Sequence, residues 1–280
     1  MMKRFLMPLL AGVVLAGAAQ AQTIDRIKET GLLKLGYRLD AAPLSFQTEE
    51  GGPAGYTPMV CAELAQGILN TIQIPNLDVE FIPVGMQDQF EKVAVGEIDL
   101  LCGASTITLG RRELVDFSIP TFADGTTVML PINGSDSFAD LAGKKLGVRR
   151  DSTTETALNN TLASTATFAE VVRFNDHGAA MTAMENGEID AYFGDQAILA
   201  GLWITSPQRE NIKVSNNLLT VEKHGLAMAR GDTEFRLMID RLLSSMYARG
   251  IMQTIFQQTL PGVQPGDIHR AVFTMAPIVE

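Results

Sequence analysis

The run Gly103-Ala104-Ser105-Thr106-Ile107-Thr108 is a turn of small and hydroxylic residues at the end of an apolar stretch, with Arg111 shortly after it. Such a turn offers backbone carbonyls and hydroxyls to a ligand ammonium, and a guanidinium can grip a carboxylate through two parallel hydrogen bonds. The bland reading of Arg111, Arg112 and Glu113 is a solvated charged turn. Ser152-Thr153-Thr154-Glu155 has the spacing of a capping box, which explains it structurally. Directly after Arg149 and Arg150 it also marks a helix N-terminus with free N–H groups for an anion. Asp195 suits either a helix cap or the counter-charge of an amine. His177, after Asn175-Asp176, sits at a helix start, where a neutral imidazole could bond a ligand or serve structure alone. Arginine for carboxylate and aspartate for ammonium is the set that holds a zwitterion.

Catalytic patterns are poor by comparison. The sequence has no Gly-x-Ser-x-Gly elbow, no phosphate loop and no His-Glu-x-x-His. No glutamate is evident in the turns expected to line a cleft. The three histidines, 177, 224 and 269, are scattered, so neither a metal nor a cofactor is expected.

The elements that must position these groups come in a repeated order. Gly-Glu-Ile-Asp occurs at 96–99 and again at 187–190, each time closing a helical run and opening a short apolar strand. The first such strand breaks into Cys102–Thr106, the second into Gly194-Asp195-Gln196, and upstream of each lies a Leu-Gly strand, at 35–36 and 146–147. Strands alternating with helices predict an α/β fold with a mainly parallel sheet in each of two lobes. Open sheets of this kind bind ligands at their strand ends. The chain is expected to leave the first lobe near Leu130 and return near Glu222. That gives lobe one over 22–129, lobe two over 130–222, and a return segment with C-terminal helices over 223–280, joined by two hinge crossings. Helices are expected at Thr23–Gly31, Thr57–Asn70, Ser152–Leu162, His177–Asn186 and Thr233–Arg249, with Ala41–Gly55 and Asp116–Phe122 as loops and Leu218–Val221 as a strand.

Residues 1–21 read as a cleaved secretory signal: Lys3 and Arg4, an apolar run, then Ala19-Gln20-Ala21. Export follows, and loss of Lys3 and Arg4 takes the formal charge from -10 to -12. An acidic surface argues against nucleic acid or anionic membrane as partner. Cys61 and Cys102, an even pair in an exported chain, are expected to form a disulfide, with two buried thiols as the alternative.

The stretch Cys102–Ser118, a strand ending in glycine, a Thr-rich turn, an arginine and Asp-Phe-Ser, resembles the signature of the family 3 extracellular solute-binding proteins. The likeness extends through Ile27–Tyr37, Gly55–Leu64, Leu141–Glu155, Asp176–Ala200 and Gly225–Arg230. Asp176-His177-Gly178 and Asp195–Gly201 are most similar to the glutamate/aspartate-binding subgroup. The resemblance implies a two-lobed type II periplasmic binding-protein fold, a monomer serving an inner-membrane ABC permease, and a polar amino acid as ligand. It implies that Arg111 grips the α-carboxylate with Ser152 and Thr153. Asp195, the Ala104 carbonyl and the Thr106 hydroxyl would take the ammonium, and Arg38 and His177 would meet the side-chain carboxylate. In one respect the chain departs from the subgroup: Met86 and Gln89 stand where it has a serine and an arginine, and Arg149 stands where it has a small hydroxyl residue. Arg149 would restore the missing charge from the other lobe, with glutamate, aspartate, glutamine and asparagine all open as ligands. The same fold serves cyclohexadienyl or arogenate dehydratase-like enzymes, which is the alternative, and a sensing domain acting through a partner is a third reading.

Overall fold

The computed structural model describes residues 23–279; the expected signal segment lies outside the described residues. Two five-stranded sheets carry the architecture. In the first, the order is Asp78–Val84, Leu32–Arg38, Leu100–Cys102, Ala227–Ala229, Val115–Phe117; in the second it is Glu170–Phe174, Lys145–Arg149, Ala191–Asp195, Thr126–Pro131, Ile212–Val214. In each sheet three parallel strands are extended on one side by two more, each antiparallel to its neighbour.

The repeated tetrapeptide anchors the third parallel strand of each sheet, and it does so identically. Gly96 and Gly187 take φ of +75° and +71°, a left-handed turn that releases the chain from its helix. Ile98 then packs over Gly36, where a Cβ would come within 2.3 Å of Ile98 Cδ1, and Ile189 packs over Gly147 at 2.4 Å. Asp99 accepts the Lys34 backbone N–H at 2.8 Å and returns its own N–H to the Lys34 carbonyl; Asp190 does the same with Lys145. Glycine, isoleucine and aspartate thus fix strand register from the end opposite the ligand turns.

The crossing between lobes lies earlier than expected. Phe122–Asp124 pairs antiparallel with Glu222–His224 as a two-stranded ribbon, and Thr126–Pro131 already belongs to the second sheet, so the boundary near 130 is corrected to this ribbon. Gly125 permits the tight passage, since a Cβ there would meet the Thr220 carbonyl at 2.2 Å. Leu218–Val221, expected as a strand, is a connection into the ribbon, and Val115–Phe117, inside an expected loop, is an edge strand. Residues 41–55 likewise hold short antiparallel strands, Ser45–Gln47 and Pro53–Ala54, beside Asp40–Ala41. A C-terminal helix, Asp267–Met275, was not expected; its His269 ring packs on Phe122 and Phe256.

The helices start where the sequence places capping groups. Asp232 accepts from Phe235 N–H, Asp176 from Ala179 N–H and Ser152 from Glu155 N–H. Cys61, on the helix Tyr56–Ile72, is joined to Cys102 at the end of the central strand of the first sheet. Ile198 of the second lobe joins the buried cluster that contains Ala41 and Leu44 of the first. The cleft is therefore shut.

Candidate functional site

All nine residues singled out from the sequence, Arg38, Ala104, Thr106, Arg111, Arg149, Ser152, Thr153, His177 and Asp195, line one enclosed cavity between the lobes. Ala41, Met86, Thr154, Phe193, Gly194 and Ile198 complete its wall. The first lobe contributes strand ends and the turn after Leu100–Cys102; the second contributes Arg149, the N-terminus of the helix Thr153–Ser164, and Asp195.

Arg111 lies over the Phe90 ring at 4.9 Å and donates from Nη1 to the Thr106 carbonyl at 2.7 Å. A stacked, tethered guanidinium keeps its orientation and retains donors for an incoming group. Burial lowers its pKa, with Asp195 and Glu222 opposing that shift. Across the cavity, Ser152 Oγ donates to the Arg149 carbonyl at 2.6 Å while capping its helix. The Glu155 carboxylate reaches back to Asp151 N–H, one residue before the position a standard capping box would use.

Asp195 stands at the N-cap of Gln196–Thr205 but makes no side-chain cap bond. Asp124, from the ribbon, caps that helix instead, accepting from Ala197 N–H at 3.2 Å and from Gly125 N–H at 2.8 Å. The Asp195 carboxylate is consequently left facing the cavity, with long contacts from the Thr154 hydroxyl at 3.4 Å and His224 Nε2 at 3.8 Å. Burial, and then the Glu222 charge, push its pKa up to about 7. Asp124 is raised by burial and by Asp195.

Glu222 and Asp40 were missed from the sequence as site residues, and each bonds to residues that line the cavity: Glu222 to Thr106, Asp40 to Arg38 and Arg149. Glu222 is buried and accepts hydroxyl bonds from Thr106 at 2.7 Å, Thr220 at 2.8 Å and Thr126 at 3.2 Å. Burial raises its pKa, but the hydroxyls of Thr106, Thr220 and Thr153 outweigh it, and the carboxylate sits below its usual range. Glu222 lines the groove that adjoins the cavity, with Thr106, Arg111 and Thr153, against the expectation of no glutamate in the cleft-lining turns; Leu218–Val221 reads as a plain strand and Glu222 as the return point, and nothing there signals a turn toward the cleft. Asp40 pairs with Arg38 at 2.7 Å and with Arg149 at 2.6 Å.

At this end Arg38 Nε and Arg149 Nε are buried without an acceptor. His177 Nδ1 is 2.6 Å from the Tyr192 hydroxyl. Burial, and then Arg149, lower the His177 pKa to about 3, so the ring is neutral at physiological pH. Gln89, by contrast, is turned onto Met86. Among the described residues no group of three His, Cys, Asp or Glu is placed to hold a metal.

Known proteins resemble this chain over most of its length. The L-glutamate/L-aspartate-binding protein of Pseudomonas aeruginosa is 28% identical over 238 residues, 84% of this chain and 79% of that protein. Among solved structures, the ancestral amino acid-binding protein AncCDT-1, a precursor of cyclohexadienyl dehydratase, is 26% identical, with a TM-score of 0.73 over 85% of this chain and 99% of that one. An ancestral arginine-binding protein bound to glutamine is 26% identical, with a TM-score of 0.71 over 81% and 97%. The model of the bacterial extracellular solute-binding proteins, family 3, matches residues 33–261, and the chain belongs to that family.

Proposed function

We propose that this protein captures an acidic amino acid, L-glutamate or L-aspartate, in the periplasm and hands it to an inner-membrane ABC permease without transforming it. The observation that carries this reading is the charge layout of the cavity: Arg111 near the Ser152–Thr153 helix start, Asp195 opposite, and two arginines at the far end with buried Nε groups lacking acceptors. A carboxylate between Arg111 and the helix N-terminus, an ammonium against Asp195, the Ala104 carbonyl and Thr106, and a distal carboxylate against Arg38, Arg149 and His177 would pair every one of these groups. Burial of ligand charge is tolerable only with such pairing. The relative in Pseudomonas aeruginosa, named for glutamate and aspartate, supports the same assignment.

Closure then follows from differential contact. The first lobe offers Arg111 and the Gly103–Thr106 turn, and the second adds Ser152, His177 and Asp195 only when the cleft shuts, so ligand favours the closed state. A dehydratase reading requires a general acid. Glu222 does not fit that role, because its hydroxyl donors hold it ionised; Asp195, whose pKa is raised to about 7, is the carboxyl that the binding reading sets against the ligand ammonium instead. Thermal-shift screening against all twenty amino acids tests the proposal, since a ligand that binds only the folded form raises the melting temperature. Glutamate and aspartate are expected to give the largest shifts. A response confined to basic or apolar amino acids would refute it, and turnover of prephenate or arogenate would favour the enzyme.

A further inference from the structure

Arg38 and Asp40 belong to the first lobe and Arg149 to the second, and the single carboxylate of Asp40 serves both guanidiniums, one oxygen to each. Arg149 sits at the C-terminal end of Lys145–Arg149, and Asp40 in the short strand Asp40–Ala41. The contact therefore spans the cleft and exists only while it is shut. We propose that Asp40 is a specificity-determining residue: it cancels one of two arginine charges, leaves the distal subsite with a net charge of plus one, and so matches it to a ligand with one distal carboxylate.

The count follows from the neighbours. His177 is neutral, Met86 presents a thioether 3.6 Å from Arg38 Nη1, and Tyr192 bonds His177. Two fixed cations and one fixed anion remain. Guanidiniums stay charged in proteins, so burial cannot remove the surplus by deprotonation. A closed cavity holding one uncompensated positive charge is unfavourable until an anion enters. Without Asp40, Arg38 and Arg149 would confront each other unscreened as the lobes met; the Arg149 charge already opposes that of Arg38. Asp40 thus permits closure and sets the charge to be filled. Its own carboxyl is held below the usual range, because the two arginines outweigh the upward push of burial.

This inference rests on the acidic amino-acid reading, and the test separates the two. Calorimetry would measure glutamate, aspartate and glutamine, the neutral isostere of glutamate, on the parent, Arg149→Met, Asp40→Asn and the double variant Asp40→Asn/Arg149→Met. The parent is expected to prefer glutamate by about tenfold or more. Arg149→Met brings the distal charge to zero and should abolish that preference or invert it. The double variant, with Arg38 alone, returns the charge to plus one and should recover a glutamate preference of about tenfold. Asp40→Asn should widen the preference of the parent, an independent check if one arginine variant folds poorly. A purely structural ion pair would weaken both ligands alike and leave their ratio fixed. An unchanged ratio, or a double variant as unselective as Arg149→Met, overturns the role of Asp40 while the ligand reading stands. A parent that binds neither glutamate nor aspartate overturns both.

Discussion

Glu222 Oε2 accepts the Thr106 hydroxyl at 2.7 Å, which ties the hinge ribbon to the turn that lines the cavity. Because Glu222 also holds Thr126, the first residue of the second sheet, one carboxylate braces both lobes where they meet. Glu222→Gln replaces an acceptor oxygen with a donor amide facing hydroxyls. Hydrogen bonds to a charged group contribute about 1.5–3 kcal/mol. Calorimetry should accordingly show glutamate affinity reduced by about tenfold or more, with the parent stoichiometry.

Arg111 is expected to dominate binding. Its truncation to alanine would strand a buried ligand carboxylate, at a cost of about 2–5 kcal/mol. That corresponds to weakening by roughly thirtyfold or more. Unchanged affinity for every amino acid tested would remove Arg111 from the site.

Binding should strengthen as pH rises through neutrality. Asp195, at about 7 in the empty closed cavity, is largely protonated at pH 6. A ligand ammonium favours its ionised form, so binding at pH 6 should release a proton, visible as a buffer-dependent calorimetric heat. His224, lowered by burial to about 4, does not titrate in this window. For the empty protein the sign is opposite. A carboxyl raised above its unfolded value favours the fold at low pH, and that contribution is lost as pH rises through about 7. Asp195→Asn should therefore melt higher than the parent at pH 8 without ligand, and differ less from it at pH 5.

The Gly36–Ile98 contact predicts a compensating pair. Gly36→Ala drives a methyl into Ile98 Cδ1 and should destabilise by about 1–3 kcal/mol. Ile98→Val removes that atom, so the double variant should be less destabilised than the sum of the singles, measured by denaturant unfolding.

A wedge at Gly201 should hold the cleft open. A Cβ there would meet Pro43 Cδ at 2.9 Å and the Ala42 carbonyl at 3.0 Å, both on the opposite lobe. Gly201→Val is expected to leave each lobe folded, weaken ligand binding by about tenfold or more, and enlarge the radius of gyration in solution scattering.

The sequence exposed the scaffold through local signals. Capping residues at Ser152, Asp176 and Asp232, glycine stops and the Leu-Gly and Gly-Glu-Ile-Asp pairs each act within a few residues of where they stand, so they could be read in one dimension. The cavity groups were legible because their residue types suited a zwitterion and their spacing matched a family signature. Asp40 and Glu222 escaped for the converse reason. Asp40 owes its role to Arg149, 109 positions later, and Glu222 owes its role to Thr106, 116 positions earlier. The edge strand Val115–Phe117 was hidden likewise, since its only strand partner among the described residues is Ala227–Ala229.

Both ligand-facing turns grow from strands pinned at the other end, by Asp99 in one half and Asp190 in the other. Nothing in those pins touches the cavity. Side chains at the strand tips can then be exchanged without unseating the framework, which makes changes of cargo inexpensive for a scaffold of this type. The same independence implies that transplanting a few tip residues between such chains should move ligand preference while leaving the melting temperature nearly where it was.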